Sequence, residues 1–172
     1  MPRFSRAFTL IELCAAALIL AIAAVIGLPA FGNLLARAQL RKAASTLADD
    51  LAVARRAAID RGRPVAACPS RDGRHCQPGA SWRHGWIIRD GTRVLLAHEA
   101  LPGRLAAASS RPAIHFDLAG RATADNDTIT LCVRGKPETA VSVVVSMAGR
   151  IHETPPDQGR AAACAATGED NR

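Results

Sequence analysis

One acidic side chain near the start of the chain, Glu12, lies in an otherwise apolar stretch. A charge inside a bilayer costs roughly 2.5 kcal/mol or more, so such a residue is normally paired or functional. A cut between Ala7 and Phe8 would create a new amino group at Phe8, one helical turn before Glu12. In an assembly of parallel helices, the Glu12 carboxylate would pair with the Phe8 amine of a neighbouring chain. These residues predict processing of the chain, followed by an acid–amine contact between subunits.

The element that must position this carboxylate is a helix long enough to cross a bilayer. Residues 1–7 are basic, and every residue over 13–28 is apolar or glycine. The 21 residues 8–28 would span about 30 Å as a helix, which is the thickness of one hydrocarbon core. In a conventional secretory signal, a cleavage site follows the apolar core, whereas here the basic residues and a small alanine precede it. We predict a leader over residues 1–7 and a transmembrane helix over residues 8–31.

The same helix is predicted to continue with an amphipathic half over residues 32–62. Apolar residues at spacings of three and four form one stripe, and charged residues occupy the other faces. Gly62 and Pro64 then supply a helix stop. We expect this half to pack on a folded domain through the stripe, which consists of Leu40, Ala44, Leu47, Leu51, Ala54 and Ala58.

Residues 63–172 predict an antiparallel β domain with a C-terminal loop and tail. Short apolar runs alternate with turn residues, of which Asp90-Gly91 is a hairpin signal. After Glu153 the chain carries two prolines and an alanine-rich end, which predict a loop and a partly disordered tail. The fold class is α+β, a long N-terminal helix packed on an antiparallel β-sheet domain. The predicted strands cover residues 65–68, 85–89, 93–98, 113–117, 128–133, 140–146 and 150–152.

Four cysteines of this domain predict two disulfide bonds, because an even number in an exported domain is typical of a disulfide framework. Four cysteines allow three connectivities. Cys68 and Cys76 flank a polar turn, so we pair them locally, which leaves Cys132 for Cys164. The sequence alone does not fix this pairing.

No group of residues predicts an enzyme. The five histidines are scattered, and no pattern combines a nucleophile, a base and an orienting group. A zinc site using His75 or His84 is disfavoured because the chain has no CxxC or HxxxH pair. Trp82 and Trp86 are predicted to belong to the core and to hairpin cover instead of a ligand site. We expect no catalytic residue, no cofactor and no metal.

The run Ala7-Phe8-Thr9-Leu10-Ile11-Glu12-Leu13 resembles the class III leader of type IV prepilins and type II secretion pseudopilins. The resemblance implies that a prepilin peptidase cleaves between Ala7 and Phe8 and that Phe8 is N-methylated. It also implies that Glu12 is the carboxylate that sets the register between subunits. Glycine usually precedes the cut, and Ala7 departs from that pattern. Because alanine is the next smallest residue, we expect processing to survive.

The domain contains the runs Arg63-Pro64-Val65, Cys68-Pro69-Ser70, Gly85-Trp86-Ile87-Ile88, Phe116-Asp117, Gly120-Arg121, Leu131-Cys132, Val144-Val145-Ser146 and Gly149-Arg150. With the leader, these runs resemble the GspH/FimT family from the leader to about His152. The resemblance implies a type IV pilin fold and a non-enzymatic minor pilin. Such a subunit would leave the inner membrane, where it is single-pass with a periplasmic domain, and join other minor and major pilins at or near the tip of a type IV pilus. An H-type minor pseudopilin of type II secretion is an alternative.

A DNA receptor in natural transformation is a further alternative. One branch of the family, similar to FimT, binds DNA through a basic C-terminal region around a Gly-Arg motif, which Gly149-Arg150 matches. The match is incomplete, since His152 occupies the place of a second basic residue. A net charge of +7 suits phosphate contacts, and without a nearby aromatic platform such binding would be blind to sequence. The candidate contacts are Arg150, His152, Arg134, Lys136 and Arg160; alternatively, these residues form a solvated rim in which Arg150 pairs with a carboxylate.

Overall fold

The computed structural model describes residues 10–124 and 126–167. Two compact units divide between Leu35 and Ala36. Helix α1, Leu10–Arg61, runs through this division. The predicted long N-terminal helix is therefore confirmed over the described residues, while the predicted leader, residues 1–7, lies outside them.

Over residues 10–25, which belong to the first unit, α1 exposes its apolar side chains. Every residue over 10–25 is exposed, including Glu12, and Leu10 is 81% exposed. Within the ranges 10–124 and 126–167, no helix offers a stretch that is both long and apolar enough to cross a membrane.

In the second unit, the predicted stripe is the buried face of α1. All six of its residues are at most 2% exposed. They pack in one core with Val65, Phe116 and Leu131 from the β domain. Apolar spacing along the helix thus predicted correctly which face of α1 packs on the domain.

The strands of the second unit form two antiparallel sheets of four strands each. Their orders are β3-β2-β1-β5 and β4-β6-β7-β8. The antiparallel β domain of the prediction is confirmed, although several strand ends differ by one to four residues. The strands are β1 Val65–Pro69, β2 Trp86–Asp90, β3 Arg93–His98, β4 Leu105–Ser109, β5 Ile114–Phe116, β6 Asp127–Val133, β7 Lys136–Val145 and β8 Ile151–Thr154.

A second helix, α2, corrects the prediction that the chain after Glu153 is loop and tail. α2 spans Gln158–Ala166, and the side chain of Asp157 caps it by accepting a hydrogen bond from Arg160 N (2.9 Å). A disulfide bond joins Cys164 of α2 to Cys132 of β6. Both interactions stabilise a helix that is too short to form alone.

Because α2 covers the second sheet, β6 is buried on both faces. Ile129 and Leu131 belong to the core with α1, whereas Cys132 and Cys164 form a small separate cluster with Ala106. All seven residues of β6 are buried. A strand with this burial shows no alternation of exposed and buried side chains.

The other disulfide bond joins Cys68 to Cys76 and closes the polar turn after β1. Trp82, in a 3₁₀ helix over Trp82–His84, and Trp86 at the start of β2 are both buried. The prediction that these two tryptophans belong to the core is therefore confirmed.

Candidate functional site

The Gly149-Arg150 motif lies in the turn that joins β7 to β8. Gly149 N donates to Ser146 O (2.7 Å), and Arg150 N donates to Ser146 Oγ (3.1 Å). From the turn after β5, Ala122 N donates to Met147 O (3.1 Å). Hydrogen bonds within the turn and to its neighbour therefore fix the position of the motif.

Glycine is required at position 149 by a close crossing of two turns. Gly149 has a φ of 75°, and a Cβ placed on it would overlap Gly120 O. Arg55 Nε of α1 donates to the same oxygen (3.0 Å). Ile59 of α1 packs against Gly120. These contacts fix both turns against α1. The glycine of the motif therefore has a structural role.

Arg150 is exposed at the rim of a groove between α1 and the β7–β8 turn. The groove has a volume of about 540 Å³, with Ala52, Ile59 and Ile151 among its lining residues and Arg56 beside Arg150. Among the described residues no carboxylate lies within ion-pair distance of the Arg150 guanidinium. The carboxylate pair considered for Arg150 is therefore not formed within this part of the chain.

The structure divides the five candidate DNA contacts between two ends of the second sheet. Lys136 begins β7, and Arg134 lies in the turn before it. Arg150 follows the other end of β7, since Val145 pairs with Ile151. A strand of this length separates its ends by about 30 Å. The five candidate DNA contacts therefore do not form a single cluster.

The two remaining candidates lie near the Arg150 end. His152 is exposed on β8, opposite Val144. Arg160 of α2 is engaged within the chain, because its Nε lies 3.3 Å from Asp157 Oδ2 and its Nη1 donates to Thr128 Oγ1 (3.2 Å). Arg160 is therefore bonded within the chain, whereas no side-chain hydrogen bond or ion pair of Arg150 is formed among the described residues.

Further cations lie at the Arg134 end, in turns that are distant in sequence. Arg134 N donates to Arg104 O (2.9 Å), and Leu101 N donates to Arg83 O (2.8 Å). Ser70 N donates to Gly85 O (3.0 Å), which places the turn containing Arg71 beside the 3₁₀ helix. We call this set the basic band; it consists of Arg71, Arg83, Arg104, Arg134 and Lys136.

Electrostatics support this proximity. Burial and the neighbouring Arg71 and Arg83 guanidinium groups lower the pKa of His84. In the turn that contains Arg71, the Asp72 carboxylate forms hydrogen bonds with the His75 ring (2.7 Å), two backbone N–H groups and Ser70 Oγ. These hydrogen bonds, chiefly that from the His75 side chain, lower the pKa of the Asp72 carboxyl. Asp72 therefore stays ionised and internally bonded.

The sequence did not predict that Arg71, Arg83 and Arg104 lie in neighbouring turns. They belong to three separate turns, and no local spacing connects them. Only the hydrogen bonds between the turns bring them together.

The residues predicted for processing, Ala7 and Phe8, lie outside the described residues. Glu12 is in the first turn of α1 as described, and its side chain is exposed. Among residues 10–124 and 126–167, no group of three or more His, Cys, Asp or Glu side chains is arranged to hold a metal ion.

Comparison with known proteins reveals the family and the fold. A family model described as "Type II transport protein GspH" matches residues 43–149, more than half of the chain. A search of curated proteins finds no match.

Two crystal structures of the type IV minor pilin FimU from Pseudomonas aeruginosa (strain PAO1) are similar, each with 23% identity. One has a TM-score of 0.59 over 69% of this chain and 90% of FimU, and the other a TM-score of 0.56 over 67% and 93%. The minor pseudopilin EpsH of the Vibrio cholerae type 2 secretion system has 13% identity and a TM-score of 0.50 over 69% of this chain and 98% of EpsH.

At these identities the solved structures show a shared type IV pilin-like fold. The family match carries the assignment, because it extends from the buried half of α1 to the Gly149 crossing. This chain belongs to the GspH family.

Proposed function

We propose that this chain is a minor pilin of a type IV pilus, a non-enzymatic subunit that primes assembly or sits at the tip. It would first lie in the inner membrane as a single-pass protein, held by residues 8–31, with its domain in the periplasm. Other minor and major pilins would then be its partners in the filament.

The observation that carries this proposal is the exposure of the first unit of α1. Eight large apolar side chains over residues 10–25 are at least 62% exposed. Burying one such side chain is worth roughly 1.5–3 kcal/mol, so this surface favours a lipid or protein environment. Membership of the GspH family and the pilin-like fold indicate that neighbouring pilin helices supply that environment. The proposed anchor, residues 8–31, begins two residues before the described part of the chain.

The proposed processing gives Glu12 its role. A prepilin peptidase would cut between Ala7 and Phe8, and Phe8 would then be N-methylated. The Glu12 carboxylate would pair with the Phe8 amine of a neighbouring subunit and set the register of assembly. Pairing is needed because a carboxylate among exposed apolar side chains is costly in any apolar environment.

The test compares Glu12→Val with Cys14→Val in cells that assemble pili. Both positions are exposed on the same part of α1, but only the first substitution removes a charge. Glu12→Val is expected to remain in the membrane fraction and to be lost from sheared filaments. Cys14→Val is expected to behave as the wild type. Equal incorporation of the two variants would contradict the assembly role, and a mature protein that begins elsewhere than Phe8 would contradict the processing.

A pseudopilin of type II secretion is the second candidate, favoured by the description of the matching family as a type II transport protein. Deletion of the gene separates the two roles. Loss of surface pili with normal protein secretion would support the pilus, whereas loss of secreted enzymes with normal pili would support the secretion machine.

A DNA receptor is a third candidate, and the basic band favours it. Clustered arginines can bind phosphates, with an affinity that falls as salt rises. A gel shift titrated with salt should lose affinity in Arg83→Glu and Arg134→Glu, while Arg150→Ala tests the Gly-Arg motif. No shift of the wild-type chain at low salt would exclude this role.

A further inference from the structure

Strand β4 forms one edge of the second sheet, because its only paired neighbour among the described strands is β6. The hydrogen bonds just beyond its ends define which residues face β6. Arg134 N donates to Arg104 O, and Ser110 N donates to Thr128 O. In an antiparallel pair such bonds recur at every second residue. The residues of even number therefore bond to β6, and those of odd number present their N–H and C=O groups to the free edge.

The outward backbone groups of β4 that lack a backbone partner among the described residues include Ala107 N and the N–H and C=O of Ser109. The Ala107 carbonyl accepts a bond from Ser81 Oγ (3.0 Å). Within the described residues, no backbone partner bonds to Ala107 N or to the backbone of Ser109. Ala107 is only 3% exposed. A buried N–H without an acceptor is unfavourable, so this edge favours pairing.

A groove of about 720 Å³ lies along this edge. The loop over residues 78–81 and the last turn of α2 both line it. Much of the lining is small, which leaves space for the side chains of an occupant. The small residues of the lining are Gly79, Ala80, Ala107, Ala108, Ala163 and Ala166.

The charge of the groove indicates which occupant it fits. Among the described lining residues, Arg111 is the one charged side chain, and its Nε lies 2.8 Å from Oδ1 of the buried Asp127. An ion pair of this kind leaves no net charge for an occupant to neutralise. The groove therefore complements an uncharged segment with bulky side chains.

We propose that the β4 edge binds an extended, uncharged segment of a partner protein, which pairs with Ala107 and Ser109 as an added strand. Only an extended backbone presents N–H and C=O groups at the spacing of every second residue of β4. The chain's own residues 168–172 follow Thr167, which also lines the groove, but three of these five residues are charged. Their chemistry does not match a neutral groove.

A peptide-binding experiment with the full-length chain in detergent tests the proposal. The probe is a panel of capped, labelled peptides of about seven residues, in which Thr alternates with Val, Ile, Leu or Phe; strands of five to six residues are typical. Binding is measured by fluorescence anisotropy, and amide hydrogen exchange is followed over residues 105–109. We expect at least one peptide to bind and to slow exchange of these amides.

Two pairs of variants locate the bound peptide. Ser109→Pro removes the outward N–H, whereas Ser109→Ala keeps it and removes only the hydroxyl that bonds to Arg111. One lost hydrogen bond corresponds to a weakening of about threefold to tenfold for the proline variant relative to the alanine variant. Ala166→Trp fills the groove and should abolish binding, whereas Ala162→Trp, on another side of α2, should leave it unchanged.

The proposal is overturned if no peptide of the panel binds, or if both members of each pair bind equally. It is also overturned if a chain ending at Thr167 binds the panel about tenfold more tightly than the full chain, because the groove would then belong to residues 168–172. The experiment needs no assembled pilus, so its outcome is separate from that of the proposed function.

Discussion

The two halves of α1 differ in what surrounds them. Residues 10–25 expose every side chain, whereas the stripe between Leu40 and Ala58 is buried to 2% or less. Both halves are rich in leucine and alanine, so composition does not explain the difference. Apolar residues surround the first half, but they follow one stripe in the second. The second half is stabilised by its own domain, and the apolar surface of the first is available to a different environment.

The largest expected effect comes from comparing one substitution in each half of α1 by its change in the free energy of unfolding. Leu47→Ala should lower the free energy of unfolding of the domain by about 2–5 kcal/mol, because Leu47 is fully buried and its loss leaves a cavity. Leu18→Ala should change it by less than about 0.5 kcal/mol. Urea titration in detergent, followed by the fluorescence of the buried tryptophans, measures both. Equal losses would mean that the first half also belongs to the domain core.

The sequence predicted α1 and its stripe because helical spacing is a local signal. It predicted most strands for the same reason, since alternation and turn residues lie next to each other. It missed β4, whose residues Leu105–Ser109 are Leu, three Ala and Ser. This run has no β-branched or aromatic residue, and β4 exists because it pairs with β6.

The sequence missed α2 because its helical signal was outweighed by the preceding prolines. Asp157 followed by an alanine-rich run is a helix start that could have been recognised. The separation of the candidate DNA contacts could have been foreseen, because the predicted strand over residues 140–146 lies between Lys136 and Arg150. Arg134 and Arg150 are separated by the length of β7, and the partners of Arg134 come from turns that only tertiary hydrogen bonds bring together.

A smaller effect is expected near the end of the second half of α1. There Arg55 and Ile59 contact the two turns that contain Gly120 and Gly149. Gly149→Ala combines a positive φ with overlap of Gly120 O and should cost at least about 2 kcal/mol. Gly135→Ala has a similar φ of 69° but no atom within 4 Å of the new Cβ, so about 1 kcal/mol is expected. Thermal unfolding of both variants provides the measurement. A smaller loss in Gly149→Ala than in Gly135→Ala would show that the crossing is not fixed.

The smallest effect concerns the one carboxylate on the buried side of the second half. Asp50 is 9% exposed, and its Oδ2 accepts a hydrogen bond from Trp86 Nε1 (2.9 Å). Burial raises the pKa of Asp50 above its ordinary value of 3.8, although the Trp86 hydrogen bond and the nearby His98 oppose the shift. A carboxyl with a raised pKa in the folded state adds stability below the unfolded value, and this stability is lost as pH rises through the folded value.

Asp50→Asn should therefore remove a pH dependence instead of a contact. The asparagine oxygen can still accept from Trp86 Nε1, and no charge is buried at neutral pH. We expect the variant to unfold at higher urea than the wild type at pH 7, with the difference closing as pH falls below 3.8. Asp49→Asn, at the exposed neighbouring position, removes only a charge that helps to raise the pKa of Asp50 and should change the pH profile less than Asp50→Asn does. If Asp50→Asn is instead less stable at every pH, the ionised carboxylate contributes more through Trp86 than its burial costs, and the buried half of α1 depends on a charge that its apolar stripe does not explain.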